Sequence, residues 1–160
     1  LCFYRGYNEC KSSRWMQDAA GLQRAMSKVR CMGGQTQISR VLKHALHETD
    51  AGAIDGLVFV GDCMEENVDE LCHLAGKLRI KGVPIFLFQE GYDDVASNAF
   101  KEIARISKGA YCRFDEHSAQ QLAELMKAVA IYATGGRQAA LSYSKNKPFL
   151  AHFAGQLEAK

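Results

Sequence analysis

Apolar positions recur along the chain with two different spacings, and their alternation predicts the order of the secondary structure. Continuous apolar runs predict buried strands at residues 2–5, 54–61, 83–88 and 110–114, with a possible hairpin return at 11–14. Apolar residues three or four positions apart predict amphipathic helices at residues 17–30, 36–48, 65–80, 92–107 and 118–133. Strands separated by helices of this length are typical of β-α-β crossovers and of a parallel sheet.

The predicted fold class is therefore α/β, with a doubly wound, mostly parallel sheet. The strands are apolar throughout and do not alternate with polar residues, so we expect helices on both faces of the sheet. This domain is expected to span residues 1–136. Beyond it, residues 137–160 form a C-terminal extension, in which a polar linker at 142–148 precedes a short amphipathic helix. We expect the extension to dock on the domain, the alternative being a detachable anchor for a partner.

Composition narrows the range of partners. The chain has 160 residues, is 48% hydrophobic and carries a formal net charge of +2, which is ordinary for a globular domain. It has no Lys/Arg-rich run, so we expect neither nucleic acid nor a membrane surface as partner. No apolar stretch is long enough to span a bilayer, and the first residues lack the pattern of a signal peptide. Six cysteines without a Cys-x-x-Cys pair indicate reduced thiols and a cytoplasmic location.

Two segments carry the candidate chemistry. The glycine turn Gly33-Gly34 places Thr36 at the start of a predicted helix, and the apolar run that ends at Gly61 is followed directly by Asp62. In an open α/β sheet, the carboxyl ends of the strands and the starts of the following helices face one crevice. A hydroxyl and a carboxylate that meet there make an oxygen site suited to Mg²⁺ or Ca²⁺. Thr36 and Asp62 are the predicted metal ligands.

Simpler roles remain open for these residues and their neighbours. Thr36 is also a suitable N-cap for its own helix, and Asp62 for the next helix. Glu65 and Glu66 are expected in the first turn of that next helix, where acidic groups complement the helix dipole. Cys63 would be a catalytic thiol only with a histidine beside it, and no pattern in the sequence places one there.

Two histidines and one glycine turn lack the partner residues that metal or phosphate binding would need. His44 and His47 are interpreted as a surface pair, because no third ligand accompanies them. The Gly33-Gly34 turn lacks the lysine of a phosphate-binding P-loop.

The succession of these motifs resembles a von Willebrand factor A domain over residues 1 to about 133. It consists of Gly-Gly-x-Thr-x-Ile opening a helix, an apolar strand ending in Asp62, Gly-Val-Pro-Ile opening the next strand, and Gly109-Ala110-Tyr111 before Asp115. The resemblance implies a metal-ion-dependent adhesion site at the carboxyl ends of the strands. It also implies protein partners, joined through Mg²⁺ to a partner carboxylate. Thr36 matches the family's metal-binding threonine and Asp62 its later aspartate.

One family motif, Asp-x-Ser-x-Ser after the first strand, is absent from the sequence. The chain therefore resembles the family from its second strand onward, and the family's strand order implies an open slot between the strands at 2–5 and 54–61. We expect a strand preceding Leu1 in the natural protein to fill this slot, unless a strand from elsewhere fills it or the sheet closes over it.

The expected function is a non-catalytic protein-interaction module with a partial metal-ion-dependent adhesion site. Because the first motif is missing, we expect weak Mg²⁺ binding, or none, by this chain alone. One alternative is a Rossmann-like enzyme that binds a small molecule in the same crevice, although the sequence has no dinucleotide-binding glycine fingerprint. A metal-free scaffold, in which Thr36 and Asp62 are only helix caps, is the other.

Overall fold

The computed structural model describes residues 1–30, 32–52, 54–114 and 119–158, which form an α/β fold. The strands are β1 (Cys2–Arg5), β2 (Glu9–Ser12), β3 (Leu57–Gly61), β4 (Ile85–Glu90) and β5 (Ala110–Phe114). The helices are α1 (Ala19–Met26), α2 (Ile38–Ala51), α3 (Val68–Ile80), α4 (Asp94–Ser107), α5 (Ala119–Ser144) and α6 (Pro148–Gln156).

The main sheet is parallel and has three strands in the order β3-β4-β5. The central strand β4 is buried along nearly its whole length, and only Glu90 at its end is partly exposed. Its register places Phe59 beside Leu87, and Leu87 beside Tyr111. The predicted parallel arrangement of these three strands is confirmed.

Helices cover both faces of this sheet. Ile85 and Leu87 of β4 point to the face covered by α2, α3 and α4, where they join one hydrophobic cluster. Phe86 and Phe88 point to the opposite face and join a second cluster with α5 and α6. Burial on both sides explains why β4 is apolar at successive positions and not only at alternate ones.

The first two strands form a separate antiparallel hairpin, β1-β2, and do not belong to the main sheet. The second strand begins at Glu9 and not at residue 11, because the turn at Gly6 (φ 58°) brings Glu9 opposite Arg5. Within the described ranges, β3 pairs with β4 alone, so its other edge has no strand partner. The hairpin contacts β3 through side chains, with the Tyr4 and Phe59 rings stacked at 6.4 Å between centroids.

Helix starts differ from the predicted positions because local caps decide them. Helix α3 begins at Val68, since the Asn67 side chain accepts a hydrogen bond of 3.0 Å from the Glu70 amide. Helix α1 is shorter than predicted and begins after Asp18, whose carboxylate accepts from the Gly21 amide. The predicted cap at Ser118 lies outside the described residues.

The C-terminal segment packs on the second face of the sheet. Helix α5 continues into the predicted linker, as far as Ser144, and bends at Gly136, where φ is 70° and ψ is −170°. Helix α6 then places Phe153, which is fully buried, 5.9 Å from Phe86 and 6.3 Å from Phe88 between ring centroids. Glu124, in the first part of α5, accepts hydrogen bonds from Tyr143 near the end of that helix and from Lys147 just before α6. These hydrogen bonds connect the start of α5 to the start of α6.

Replacing Gly109 by alanine tests the close approach of β4 and β5. A Cβ at Gly109 would lie 1.8 Å from the backbone oxygen of Ile85, which cannot move without disturbing the central strand. We expect Gly109→Ala to lower the free energy of unfolding by about 3 kcal/mol or more, measured by urea denaturation. The matched control is Gly76→Ala in α3, where the nearest atom is 3.9 Å away. The control should raise stability by about 0.5–1 kcal/mol, and equal losses at both sites would contradict the packing.

The contact made by Glu124 predicts a stability change at acidic pH. Hydrogen bonds from Lys147, Tyr143 and Lys127 lower the pKa of Glu124 from 4.5 to about 2. Because the folded-state pKa lies below the ordinary value, the contact contributes to stability above pH 4.5 and loses its contribution as the pH falls toward 2. The difference in urea midpoint between the parent chain and Glu124→Gln should therefore be constant near neutral pH and shrink in acid. A difference that stays constant into acid would contradict this assignment.

Candidate functional site

The predicted ligands Thr36 and Asp62 lie at the same end of the main sheet, close to where β3 ends. Cys63 and Glu65 connect them. Thr36 stands just before α2, and its amide and hydroxyl both donate to Glu65 Oε2, at 3.0 and 2.9 Å. The Glu65 amide donates back to Thr36 Oγ1 at 3.3 Å. Asp62 follows β3 and accepts from the amide and the thiol of Cys63, at 3.0 and 3.4 Å. Cys63 Sγ also lies 3.8 Å from Glu65 Oε1, which completes the connection.

Neither predicted ligand serves as a helix cap. The N-cap position of α2 is Gln37, not Thr36, and its own side chain makes no capping hydrogen bond. The cap of α3 is Asn67, not Asp62. The two capping interpretations of Thr36 and Asp62 are therefore wrong for this fold.

The carboxylate of Glu66 caps α2 from outside the helix. Its two oxygens accept from the amides of Ile38 and Ser39, the latter at 3.0 Å. The prediction that Glu65 and Glu66 occupy the first turn of α3 is wrong, because both precede that helix and serve the start of α2 instead. A negative group at this position satisfies amides without helical partners and complements the helix dipole.

The glycine turn before α2 is held against the hairpin. The Gln35 amide and the Gln37 side chain both donate to the backbone oxygen of Gly6, each at 3.2 Å. A Cβ at Gly34 would lie 2.1 Å from that same oxygen, so only glycine permits this approach. The turn therefore fixes the position of Thr36 relative to the hairpin.

Acidic groups surround a thiol and a phenol at this edge. Burial, followed by the hydrogen bond to Asp62 and the nearby charges of Glu65 and Asp93, raises the pKa of the Cys63 thiol to about 11. Burial first, and then Cys63 and Asp62, raise the pKa of the Tyr4 hydroxyl well above its ordinary value. Cys63 is thus a neutral thiol at neutral pH, whereas a nucleophilic cysteine requires a stabilised thiolate.

The oxygen donors present fit a divalent cation only in part. Within the described residues, no three His, Cys, Asp or Glu side chains are grouped so as to hold a metal ion. Thr36 Oγ1 and the Asp62 carboxylate are suitable ligands by type, but Mg²⁺ requires six oxygen ligands in near-octahedral geometry. Water or a partner would have to supply most of the coordination sphere.

A second polar cluster, which the sequence analysis missed, lies where β4 and β5 end. Gln89 is fully buried, and its Oε1 accepts from Ser97 Oγ at 2.8 Å and from the Tyr111 hydroxyl at 2.6 Å. Arg113 Nη2 donates to Ser97 Oγ at 2.7 Å, and the guanidinium lies 4.8 Å from the centroid of the Tyr92 ring. The only signal in the sequence was a glutamine at the end of an otherwise apolar strand.

The remaining candidates have ordinary surroundings. His44 is partly exposed and His47 exposed, in keeping with a surface pair. The described cysteines are free, with Cys112 buried and the others partly buried. None of the described helices has both the length and the apolar character needed to span a bilayer.

Comparison with known proteins assigns no family to this chain. No family model matches it, and no curated protein or solved structure matches it either. The structure itself defines the class: an α/β fold in which helices flank a three-stranded parallel sheet.

Removing the Glu66 carboxylate tests its role as the cap of α2. We expect Glu66→Ala to lower the free energy of unfolding by about 2 kcal/mol, because the two amides lose a charged acceptor. Amide hydrogen exchange at Ile38 and Ser39 should accelerate at the same time. The control is Glu102→Ala, which removes an exposed ion pair with Arg105 and should change stability much less, because solvent screens this pair. Similar losses for both variants would show that Glu66 is not the cap.

Proposed function

We propose that this chain is a non-catalytic protein-interaction module of the von Willebrand factor A type. Its partner would bind at the edge formed by Thr36, Asp62, Cys63 and Glu65, called here the acidic edge. The observation that carries this proposal is the continuous set of contacts from Thr36 through Glu65 and Cys63 to Asp62. The doubly wound arrangement of that family belongs to the proposal too, and the helices on both faces of the sheet support it.

In this proposal, a divalent cation such as Mg²⁺ joins the acidic edge to an acidic side chain of the partner. Thr36 would contribute its hydroxyl, and Asp62 its carboxylate, directly or through a water. Oxygen donors and an excess of negative charge favour a hard cation. The partial donor set predicts weak binding by the chain alone, with the partner's carboxylate supplying a further ligand.

We also propose that a further strand, supplied from outside the described residues, pairs with the free edge of β3. An unpaired strand edge presents amide and carbonyl groups that readily accept another strand. Val60, the next-to-last residue of this strand, is 43% exposed, which is unusual for a valine in a sheet covered on both faces. A strand carrying an Asp-x-Ser-x-Ser sequence would bring additional oxygen ligands next to Asp62.

Paramagnetic broadening by Mn²⁺ tests the acidic edge even where binding is weak. We expect Mn²⁺, used in place of Mg²⁺, to broaden first the amide resonances of residues 36–39 and 61–66 in the parent chain. Asp62→Asn should remove this preference, because it removes a charged ligand. Asp50→Asn is the matched control, since Asp50 is an exposed carboxylate near the other end of α2, where it pairs with Lys81 at 2.7 Å. That variant should leave the broadening at the acidic edge unchanged.

Two results would contradict the proposal. Broadening spread evenly over the exposed carboxylates, or retained in Asp62→Asn, would leave a scaffold without a cation site. Tight Mg²⁺ binding in a calorimetric titration, abolished by Asp62→Asn, would show instead that the site is complete in this chain.

A further inference from the structure

We propose that a pocket between α4, β5 and α6 binds a small aromatic phosphate ester. This pocket, called here the Arg113 pocket, is lined by Lys101, Arg113 and His152 together with the rings of Tyr111 and Phe149. Its volume is about 460 Å³, within the range of roughly 300–1,000 Å³ that is usual for ligand sites. The proposal is independent of the acidic edge, which lies at the end of β3 and is separated from β5 by the central strand β4.

The charged side chains that line the pocket are all positive. The pocket lining includes no described Asp or Glu side chain. Many other basic residues, such as Lys43, Lys81 and Arg105, pair with a carboxylate. By contrast, Lys101, Arg113 and His152 form no ion pair with any carboxylate of the described residues. A bound anion would compensate this charge.

The guanidinium of Arg113 is held in position before any ligand arrives. Ser97 Oγ accepts from its Nη2 at 2.7 Å, and Ser97 is itself fixed by Gln89. The Tyr92 ring packs against the guanidinium on one side, 4.8 Å away. Arg113 Nε is buried and has no hydrogen-bond partner among the described residues, so the donors of this arginine are only partly used. A partly buried cation with unused donors is costly unless an acceptor is supplied.

The other groups that line the pocket favour a ligand in which a phosphate is attached to an aromatic ring. Lys101 Nζ lies 5.5 Å from the centroid of the Tyr111 ring, so this ammonium is kept close to the ring at the pocket wall. Phe149, which is 36% exposed, offers an apolar surface to a ligand ring. A phosphate monoester carries a charge of about −1.5 to −2 at neutral pH, which matches the two cations Lys101 and Arg113 better than a carboxylate does.

Two other cavities of similar volume lack this combination. One, of about 440 Å³, is lined by Trp15 and by the carboxylate-bearing Asp55. The other, of about 450 Å³, lies beside the hairpin and is also lined by basic residues, Lys11, Arg24 and Lys28. These three residues are exposed, whereas Arg113 is partly buried and held by Ser97. The Arg113 pocket is therefore the best candidate for an anionic ligand within the described part of the chain.

Titration of the full chain with phenyl phosphate, at fixed ionic strength and followed by NMR, tests the proposal. We expect saturable shifts at residues 101, 111–113, 149 and 152. Arg113→Gln should weaken binding at least about tenfold, because a charge-assisted contact is lost. The matched control, Arg105→Gln, replaces an exposed arginine of α4 that pairs with Glu102 and should leave the affinity unchanged. Lys101→Gln is a second test if Arg113→Gln impairs folding, and should weaken binding about threefold.

Comparison of ligands separates phosphate recognition from general anion binding. Inorganic phosphate should bind more weakly than phenyl phosphate because it lacks the ring, and benzoate more weakly because it carries less charge. The proposal fails if benzoate binds as tightly as phenyl phosphate, or if Arg113→Gln and Arg105→Gln behave alike. It also fails if an acidic peptide saturates the pocket while phenyl phosphate does not.

Discussion

The contact of Glu65 and Glu66 with the start of α2 is the interaction on which the acidic edge depends. The amides of Thr36, Ile38 and Ser39 all donate to these two carboxylates, and Gln37 provides no cap of its own. Without the carboxylates, amides beside the core would lack acceptors, at a cost of about 1–3 kcal/mol for each buried group. The same contact joins the segment after β3 to the segment before α2, so it also fixes how far Thr36 lies from Asp62.

Much of the fold could be predicted from the sequence, because the pattern of apolar residues within each short segment determines the strands of the main sheet. The runs that became β3, β4 and β5 are apolar at consecutive positions, and burial on two faces produces that pattern directly. The start of α3 could not be placed correctly, since Asn67, Glu65 and Glu66 are all acceptable near a helix start and only the tertiary structure selects among them. The hairpin was assigned to the main sheet on the strength of a resemblance, whereas its strands pair with each other.

The candidate site was predictable in position but not in its contacts. Strand ends in an α/β sheet share one edge, which is enough to bring Asp62 near the start of α2. The capping of that helix by Glu66 joins residues far apart in the chain. The spacing of residues within a short segment cannot predict such a contact. The cluster around Gln89 was missed for a similar reason: its partners Ser97 and Tyr111 come from two other elements, and each one alone reads as an ordinary helix or strand residue.

The sheet separates two regions of opposite charge at the ends of its outer strands. Carboxylates collect beyond β3, whereas β5 carries Arg113. Between them, β4 carries the neutral, buried Gln89 one residue before its last residue, the partly exposed Glu90. The outer strands are about 10 Å apart, which is two inter-strand spacings. A charged residue in place of Gln89 would therefore interact with both regions, and solvent ions would screen this buried charge only weakly. A carboxylate there would pair with Arg113 and occupy the donor that now binds Ser97. An ammonium would instead neutralise the acidic edge. A neutral amide at this position leaves the carboxylates beyond β3 and the guanidinium of Arg113 as separate charged groups.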